Sequence, residues 1–270
     1  LALARWIASP ANPLTARVLV NRLWHYHFGE GLVATPSDFG LNGARPTHPE
    51  LLDWLAAEFV QPSSPGVPAW SLRHVHRLIV TSHAYRQVST PATPSLAARF
   101  DKAATLDAGN RLLWKFPARR IEAEPLRDAM LATAGVLDLR MGGPGWSPFE
   151  PNDNYVRVYT PKDKFSPEDW RRMVYATVVR QRPEGVFGVF DCPDGGQIAP
   201  RRTRSTTPLQ ALNLLNSTFV MQVSQLLADR LRQEAGPAPA AQARLAFRLA
   251  LQREPDPREL QGGIDLVERH

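Results

Sequence analysis

Residues 12–33 of this 270-residue chain, NPLTARVLVNRLWHYHFGEGLV, contain the signals for both ends of one helix. Asn12 before Pro13 is typical of a helix start, because the Asn side chain can cap a free backbone N–H and proline has no N–H to leave unpaired. Gly29 is typical of a helix end, because glycine readily adopts the left-handed conformation found there. The stretch therefore predicts a helix from Asn12–Pro13 to about Phe28.

Helix starts of the same kind recur along the chain, and apolar residues at helical spacing in 52–59 and 220–231 indicate faces packed in a core. Together these signals predict a mainly α fold of about eight helices. The further predicted helices run from a capping box at Thr47-His48-Pro49-Glu50 to about Val60, from Ser71 to about Arg86, across Arg119–Leu137 with a kink at Pro125, from Ser166-Pro167 through Val174, from Thr207-Pro208 to about Glu234 with a break near Asn216-Ser217, and from Asp256-Pro257 onward.

Two regions lack helical signals. Residues 61–70 form a loop rich in proline and serine, and residues 141–165 combine glycine and proline with the alternating run Tyr155–Tyr159. That run predicts a short strand or small β-hairpin near the middle of the chain. We therefore predict an N-terminal helical half at 1–140, a Gly/Pro-rich loop with a strand at 141–165, and a C-terminal helical half at 166–270.

Composition excludes several classes of protein. The single cysteine, Cys192, rules out a disulfide within the chain and a zinc site built on several cysteines, and we expect it to be a small packed residue. The net charge of +6 is spread among residues of both signs without a basic helix interleaved with aromatics, so nucleic acid is not an expected partner. No stretch approaches the roughly 18 apolar residues of a membrane span. No cofactor is expected in this chain, which begins at Leu1 and is expected to be part of a longer protein.

The histidines are the first candidates for a polar site. Two His-x-His pairs occur at 25–27 and 74–76, but residues two apart on a helix point to nearly opposite sides, so neither pair is expected to chelate a metal. His27 lies on an apolar side and is expected to be a hydrogen-bonded core residue. His48 lies in a first helical turn, where the dipole favours a neutral ring. A polar site would need side chains from different helices, and the candidates are His27, His48 and Glu122.

The stretch 201–208, RRTRSTTP, is the strongest candidate for an anion site. Its arginines and hydroxyls lead into a helix N-terminus, where free amides and guanidinium groups suit a carboxylate, sulfate or phosphate. The alternative is an internal anchor in which the arginines pair with Asp191, Asp194 or Glu122. The candidate residues are Arg201, Arg202, Arg204, Ser205, Thr206 and Thr207.

Two further clusters have alternative interpretations. Glu124 and Asp128 share a helix face, as a catalytic pair would, but they alternate with arginines, which favours an ion-paired surface. Trp146, Phe149 and Tyr155 could form an aromatic platform for a sugar ring or could be buried. The chain contains no phosphate-binding loop, nucleophile elbow, metalloprotease motif or dinucleotide fingerprint, so no catalytic residue is identified.

Eight stretches of the chain have sequences that are mostly long and unusual. They are NPLTARVLVNRLWHYHFGEGLV (12–33), TPSDFG (35–40), RPTHPELLDWLAAEF (45–59), WSLRHVHRLIVTSHAYRQ (70–87), NRLLW (110–114), RRIEAEPLRDAML (119–131), FDCPDGG (190–196) and RSTTPLQALNLLNSTFV (204–220). In this order they resemble a planctomycete family, the domain of unknown function numbered 1553, over nearly the whole chain. Pro125 and the long loop 61–70 depart from the family pattern.

The resemblance implies a setting rather than an activity. Similar proteins are large, with this domain near the C-terminal end, behind a cytochrome-c-like domain and a second domain of unknown function. The resemblance therefore implies export to the periplasm or cell surface, upstream domains of the same parent protein as partners, and haem in an upstream domain. It also implies that the final helix is truncated at the chain end.

Two functions follow as expectations. The first is a non-catalytic structural or binding module of a large exported multidomain protein, which contacts its upstream domains or an anionic polysaccharide. The alternative is a part of an oxidoreductase that acts on complex carbohydrate together with an upstream cytochrome c domain.

Overall fold

A computed structural model describes residues 1–153, 155, 158–179, 182, 185–193 and 199–269. Within these residues the chain forms ten α-helices, two 3₁₀ helices and three isolated β-bridges. The mainly α prediction is confirmed, while the helices are more numerous than the eight or so predicted. None of the described helices is both long and apolar enough to cross a membrane. The chain divides into two compact units, Leu1–Arg119 and Arg120–His270.

The first unit contains five helices around one core. They are α1 (Ala2–Ile7), α2 (Pro13–Phe28), α3 (Pro49–Val60), α4 (Leu72–Thr81) and α5 (Pro94–Leu106). The apolar stripes of α2, α3 and α4 meet in this core, with Val20, Leu55 and Val75 almost fully buried. The burial follows the helical spacing of the apolar residues, as expected for amphipathic helices.

The second unit contains the remaining five helices and a long irregular segment. The helices are α6 (Ala123–Thr133), α7 (Pro208–Asn216), α8 (Thr218–Ala235), α9 (Pro239–Leu251) and α10 (Pro257–Arg269). Its core joins Leu131 of α6, Phe219 and Val223 of α8, and Phe187 of the irregular segment. Within the described part of this segment, the two 3₁₀ helices are Pro167–Trp170 and Met173–Tyr175.

Local capping chemistry sets several helix ends where the sequence predicts them. Asn12 Oδ1 accepts a hydrogen bond of 2.9 Å from the Leu14 amide, and Gly29 ends α2 in the left-handed conformation at φ 87°. The predicted break at Asn216-Ser217 is confirmed, because Ser217 ends α7 and its hydroxyl accepts the Val220 amide at the start of α8.

Two helix ends in the first unit differ from the sequence prediction. The capping box at Thr47 is wrong, because Pro49 is the first helical residue and His48 occupies the cap position without a side-chain cap bond. The helix from Ser71 ends at Thr81 rather than Arg86. There Ser82 donates its hydroxyl to the Ile79 carbonyl and accepts the Tyr85 amide, which replaces helical bonds with local side-chain bonds.

The predicted helix from Ser166 through Val174 is also wrong. Its backbone instead pairs with the irregular chain at 138–146: the Asp138 amide donates to the Trp170 carbonyl, and the Trp146 amide donates to the Tyr175 carbonyl. Those carbonyls are therefore unavailable to a continuous α-helix, and two short 3₁₀ turns form instead. This pairing places the irregular segment beside α6, where it lines the cleft described below.

The predicted hairpin is not established. Residues 156 and 157 of the run 155–159 lie outside the described residues, and the described flanking chain forms one antiparallel bridge, between Phe149 and Pro161. The predicted loop at 141–165 lies within the second unit. The division of the family domain at 1–140, 141–165 and 166–270 stays a prediction.

Candidate functional site

The second unit contains a cleft of about 1050 Å³. One wall is α6, and the others come from irregular segments within 137–149, 172–179 and 188–193. Most of the lining side chains are aliphatic, and a small set of charged groups is placed among them. The lining residues are Glu122, Glu124, Pro125, Asp128, Ala129, Ala132, Leu137, Met141, Pro148, Phe149, Arg172, Met173, Val174, Tyr175, Ala176, Thr177, Val178, Val179, Gly188, Cys192, Pro193 and Arg202.

Helix α6 supplies the three carboxylates of the cleft. Glu122 is its N-cap residue and Glu124 lies in its first turn, where a negative charge is favoured by the helix dipole. Asp128 follows Glu124 by four residues and so lies on the same helix face. Pro125 does not kink the helix, because it lies in the first turn, where its missing N–H has no helical partner to lose.

At one end of the cleft, Arg202 is held by two of these carboxylates. Its Nη1 and Nη2 donate to the two oxygens of Glu124 at 2.5 and 2.7 Å, and Nη1 lies 3.4 Å from Glu122. Burial alone would raise the pKa of Glu124, but the bonds from Arg202 outweigh it and hold that pKa below its usual value. The same bonds raise the pKa of Arg202. This bidentate pair fixes the start of the loop that leads into α7.

Asp128 has the opposite electrostatic environment. Burial raises the pKa of its carboxyl group, although the Met173 amide donates to Asp128 Oδ1 at 2.7 Å and Arg127 lies 3.8 Å away. Glu124 is thus held ionised while Asp128 is closer to accepting a proton. The sequence placed the two residues on one face, and the structure places both in the lining of the cleft.

The remaining loop residues divide into anchored and exposed groups. Ser205 donates its hydroxyl to Asp191 at 2.8 Å, and Arg120 donates to the other oxygen of that carboxylate at 2.6 Å. The Thr207 amide donates to the Gln210 side chain at the start of α7. Exposed residues make up the rest of the candidate set, namely Arg201, Arg204 and Thr206.

Arg202 therefore has internal partners, Glu124 more closely than the predicted Glu122, whereas Arg204 has none among the described residues. Arg204 makes no hydrogen bond or ion pair with the residues that the structure describes, and Arg120, which the sequence analysis did not single out, is the partner of Asp191. Asp194, the other predicted partner, lies outside the described residues. The anion site at 201–207 stays a prediction.

At another point of the cleft, Arg172 has weak partners. Its Nη2 lies 2.8 Å from the Met141 sulfur, and its Nε is buried without a hydrogen-bond partner among the described residues. The Gly142 amide, which donates to the Tyr175 hydroxyl at 2.8 Å, and the nearby Arg172 guanidinium group both lower the pKa of Tyr175. Sequence reasoning missed Arg172, because nothing in the local pattern distinguishes it from the neighbouring Arg171, whose guanidinium group is used by backbone carbonyls.

In the first unit, the candidate histidines take part in separate contacts. His27 Nε2 lies 2.8 Å from His76 Nδ1, and the two rings pack edge to face with Tyr85 beside them. Burial, reinforced by His76 and Arg119, lowers the pKa of His27. His48 Nδ1 lies 3.0 Å from the Thr47 hydroxyl and lines a different pocket, of about 140 Å³.

The three candidates His27, His48 and Glu122 do not form a cluster within one unit. His27 and His48 belong to the first unit, and Glu122 belongs to the second. His27 is hydrogen-bonded and half-buried on the core side of α2, in line with its interpretation as a core residue. Among the described residues, no three His, Cys, Asp or Glu side chains lie close enough to hold a metal ion.

The candidate aromatic platform does not form. Trp146 and Phe149 are buried, whereas Tyr155 is fully exposed, so the three rings do not share one accessible face. Cys192 is half-buried and lines the cleft beside the acidic residues of α6. Two aromatic residues, Phe149 and Tyr175, line the cleft, and Phe149 is buried, so the accessible lining is mainly aliphatic and charged.

Comparison with known proteins gives a family and no activity. No curated protein and no solved structure matches the chain. A family model, PSD1, described as "Protein of unknown function (DUF1553)", matches residues 1–267, which is almost the full length. A helical domain with a cleft in its second unit, this chain belongs to the DUF1553 family.

Proposed function

We propose that this chain is a binding module whose cleft, in the second unit, holds an apolar polypeptide segment of a partner, such as an upstream domain of the same exported parent protein. The observation that supports this function is the exposure of aliphatic side chains within a cleft of about 1050 Å³. Met141, Val174 and Val178 line it and are 79%, 74% and 73% exposed. Contiguous exposed apolar surface with a few polar groups is typical of an interaction site.

The chemistry of the walls favours a polypeptide over a sugar chain. Valine, alanine, leucine and methionine side chains complement the apolar side chains of an extended or helical segment. A sugar ring is better held by a flat aromatic face. Of the two aromatic rings that line the cleft, Phe149 is buried and Tyr175 has the Arg171 guanidinium group 3.9 Å from its centroid. The choice of occupant therefore rests on the aliphatic character of the accessible lining.

The charged end of the cleft supports a preformed site. Arg202 is fixed by its bidentate pair with Glu124, and Ser205 is fixed by Asp191. These bonds hold the loop before α7 in place before any partner arrives. A preformed rim lowers the entropic cost of binding, because fewer side chains must be ordered.

A selection of displayed peptides tests this proposal. Random twelve-residue peptides would be selected on the full chain and counter-selected on Ala129→Trp, which places a large ring at an exposed cleft-lining position of α6. Ala250→Trp, at an exposed position of α9 away from the cleft lining, is the matched control. We expect selected peptides to be rich in apolar residues and to bind Ala129→Trp at least roughly tenfold more weakly than the control, a loss of about 1.4 kcal/mol.

Two results would reject the proposal. Either no peptide is enriched over a blank surface, or the enriched peptides bind Ala129→Trp and Ala250→Trp equally well. Peptide binding that survives in the filled cleft would place the interaction elsewhere on the chain.

An anionic polysaccharide is the second candidate ligand, and one observation favours it. Arg201 and Arg204 are exposed on either side of Arg202, which lines the cleft, and neither pairs with a described carboxylate. Uronic and sulfated oligosaccharides would be added to the full chain, since a ligand of the native state raises the melting temperature. If the double variant Arg201→Ala/Arg204→Ala abolishes a rise in melting temperature, and no cleft-dependent peptide is selected, the ligand is a glycan rather than a polypeptide.

The alternative, that the chain is part of an oxidoreductase, stays an expectation from the family resemblance.

A further inference from the structure

Arg172 is a guanidinium group without a strong acceptor. It lines the cleft and is half-buried, and it forms no ion pair with a carboxylate in the described part of the chain. Its partners are the Met141 sulfur, the Tyr175 hydroxyl and, at 5.7 Å, the face of the Tyr175 ring. A thioether is a weak acceptor, and the buried Nε has no partner in the described structure.

The neighbouring charges leave room for an acceptor at this position. Arg127 and Arg171 donate their Nη groups to backbone carbonyls of the irregular segment, although Arg171 Nε, like Arg172 Nε, is buried without a partner among the described residues. The Asp128 carboxylate lines the same cleft and interacts electrostatically with Arg172, but it forms no ion pair with Arg172 and accepts the Met173 amide.

The Met141 side chain lies where an acceptor for Arg172 would bind. Met141 is 79% exposed and unbranched, so its side chain can move aside at low cost. A carboxylate in its place would accept two N–H bonds from the planar guanidinium group, and charge-assisted bonds of this kind are about twice as strong as neutral ones. Replacement of the sulfur by a carboxylate would therefore complete the hydrogen bonding of Arg172.

From this we infer that Arg172 is the anion receptor of the cleft: it binds a carboxylate of the ligand, in place of the Met141 sulfur. This inference rests on the proposed function, in which the cleft holds a polypeptide segment, and it adds that the segment carries an acidic side chain or a terminal carboxylate. The aliphatic walls formed by Val174 and Val178 then contact the apolar residues beside that group.

A pair of small probes tests the receptor without any peptide. The probes are 4-methylpentanoate and its neutral isostere 4-methylpentanamide, titrated into the ¹⁵N-labelled full chain while the arginine Nε–H resonances are followed by NMR. The Arg172 signal is identified as the one missing from Arg172→Met. We expect it to shift with the carboxylate, with a dissociation constant on the order of millimolar for so small a ligand, and to stay in place with the amide.

Matched variants separate binding from folding. Arg140→Met removes a nearby arginine that is exposed and paired with Asp138, and should keep the response. Arg172→Lys keeps the positive charge without the planar fork and should weaken carboxylate binding. If Arg172→Met does not fold, Arg172→Lys assigns the signal instead, and the comparison of carboxylate with amide is still made on the unaltered chain.

The outcomes distinguish this inference from the proposed function. An Arg172 signal that ignores the carboxylate, or moves equally with the amide, overturns the anion receptor even if cleft-dependent peptides are found. A carboxylate-specific shift supports the receptor even if no peptide is selected, in which case the polypeptide occupant is rejected alone. Enrichment of acidic residues in peptides that lose affinity for Arg172→Lys would support both.

Discussion

The two units bury their polar groups in different ways. In the first unit, buried polar side chains pair with groups 12 to 16 positions away: Asn21 bonds twice to Val33, and His74 lies 2.7 Å from Glu58. In the second unit, Arg127 and Arg171 reach backbone carbonyls of the irregular segment. Irregular backbone leaves carbonyls that a helix would have satisfied, and arginine forks bond to several at once. The segment held in this way forms much of the cleft, so the cleft depends on arginines that stabilise chain that is not helical.

The largest effect on stability is expected from removal of the Arg127 hydrogen bonds to backbone carbonyls of the second unit. Arg127 is 1% exposed, donates to the Arg171 and Asp169 carbonyls at 2.8 and 2.5 Å, and lies 4.0 Å from the Trp146 ring centroid. Arg127→Leu should lower the free energy of unfolding by about 3 kcal/mol or more, because it removes a buried charge-assisted network. Urea denaturation followed by circular dichroism measures the change.

The control for this variant is Arg140→Met, an arginine of the same unit whose guanidinium group is exposed. Its denaturation midpoint should stay close to that of the unaltered chain. If Arg127→Leu is equally well tolerated, buried arginine is not what supports the irregular segment, and the contrast between the two units would lose its physical basis.

Some helix ends of the first unit could be predicted because their signals are local, although its helices α1 and α5 were not predicted. Asn12, Pro13 and Gly29 act through bonds to residues a few positions away, so the ends of α2 follow from the sequence. The wrong prediction at Thr47 has a local cause as well. Pro49 is favoured at the first helical position, which makes His48 the cap residue, and the Ser/Thr-x-x-Glu pattern competed with that rule.

The second unit shows where sequence reasoning stops. Glu122, Glu124, Asp128 and Arg202 were identified as candidates, and the structure brings all four to one cleft. The cleft itself could not be predicted, because the partners of Arg127 lie more than 40 positions away along the chain. Arg172 was missed for the same reason, since its distinguishing feature is the absence of a strong acceptor, which only the folded environment defines.

A smaller difference in stability is expected between alanine variants of two arginines in one loop, Arg202 and Arg204. Arg202→Ala removes a half-buried bidentate pair and should cost roughly 1 to 2 kcal/mol, after allowance for solvent screening of the Glu124 carboxylate. Arg204→Ala removes an exposed side chain without a described partner and should cost less than about 0.5 kcal/mol. Denaturation of both variants under one set of conditions gives the difference. Equal losses, or a larger loss at Arg204, would contradict the division of the loop into anchored and exposed arginines.

The smallest expected effect concerns the pH dependence of the first unit. His27 faces His76, Tyr85 and Arg119, and burial, reinforced by electrostatic interaction with His76 and Arg119, lowers the pKa of its ring. The unfolded chain therefore binds a proton at His27 more readily than the folded chain does. The stabilising contribution of neutral His27 is complete above the ordinary histidine pKa of about 6.5 and decreases as the pH falls through that value towards the lower folded one.

Two NMR measurements test this dependence in the full chain. The His27 ring signal should titrate below its ordinary pKa, and the amides of α2 should exchange faster relative to their intrinsic rates as the pH falls below about 6.5. In His27→Gln, which keeps a hydrogen-bonding side chain without a titrating ring, the extra exchange should shrink. A His27 ring that titrates at or above the ordinary value would show that the imidazole pair accepts a second proton freely. The first unit would then lack the closed pairing of polar groups that distinguishes it from the second.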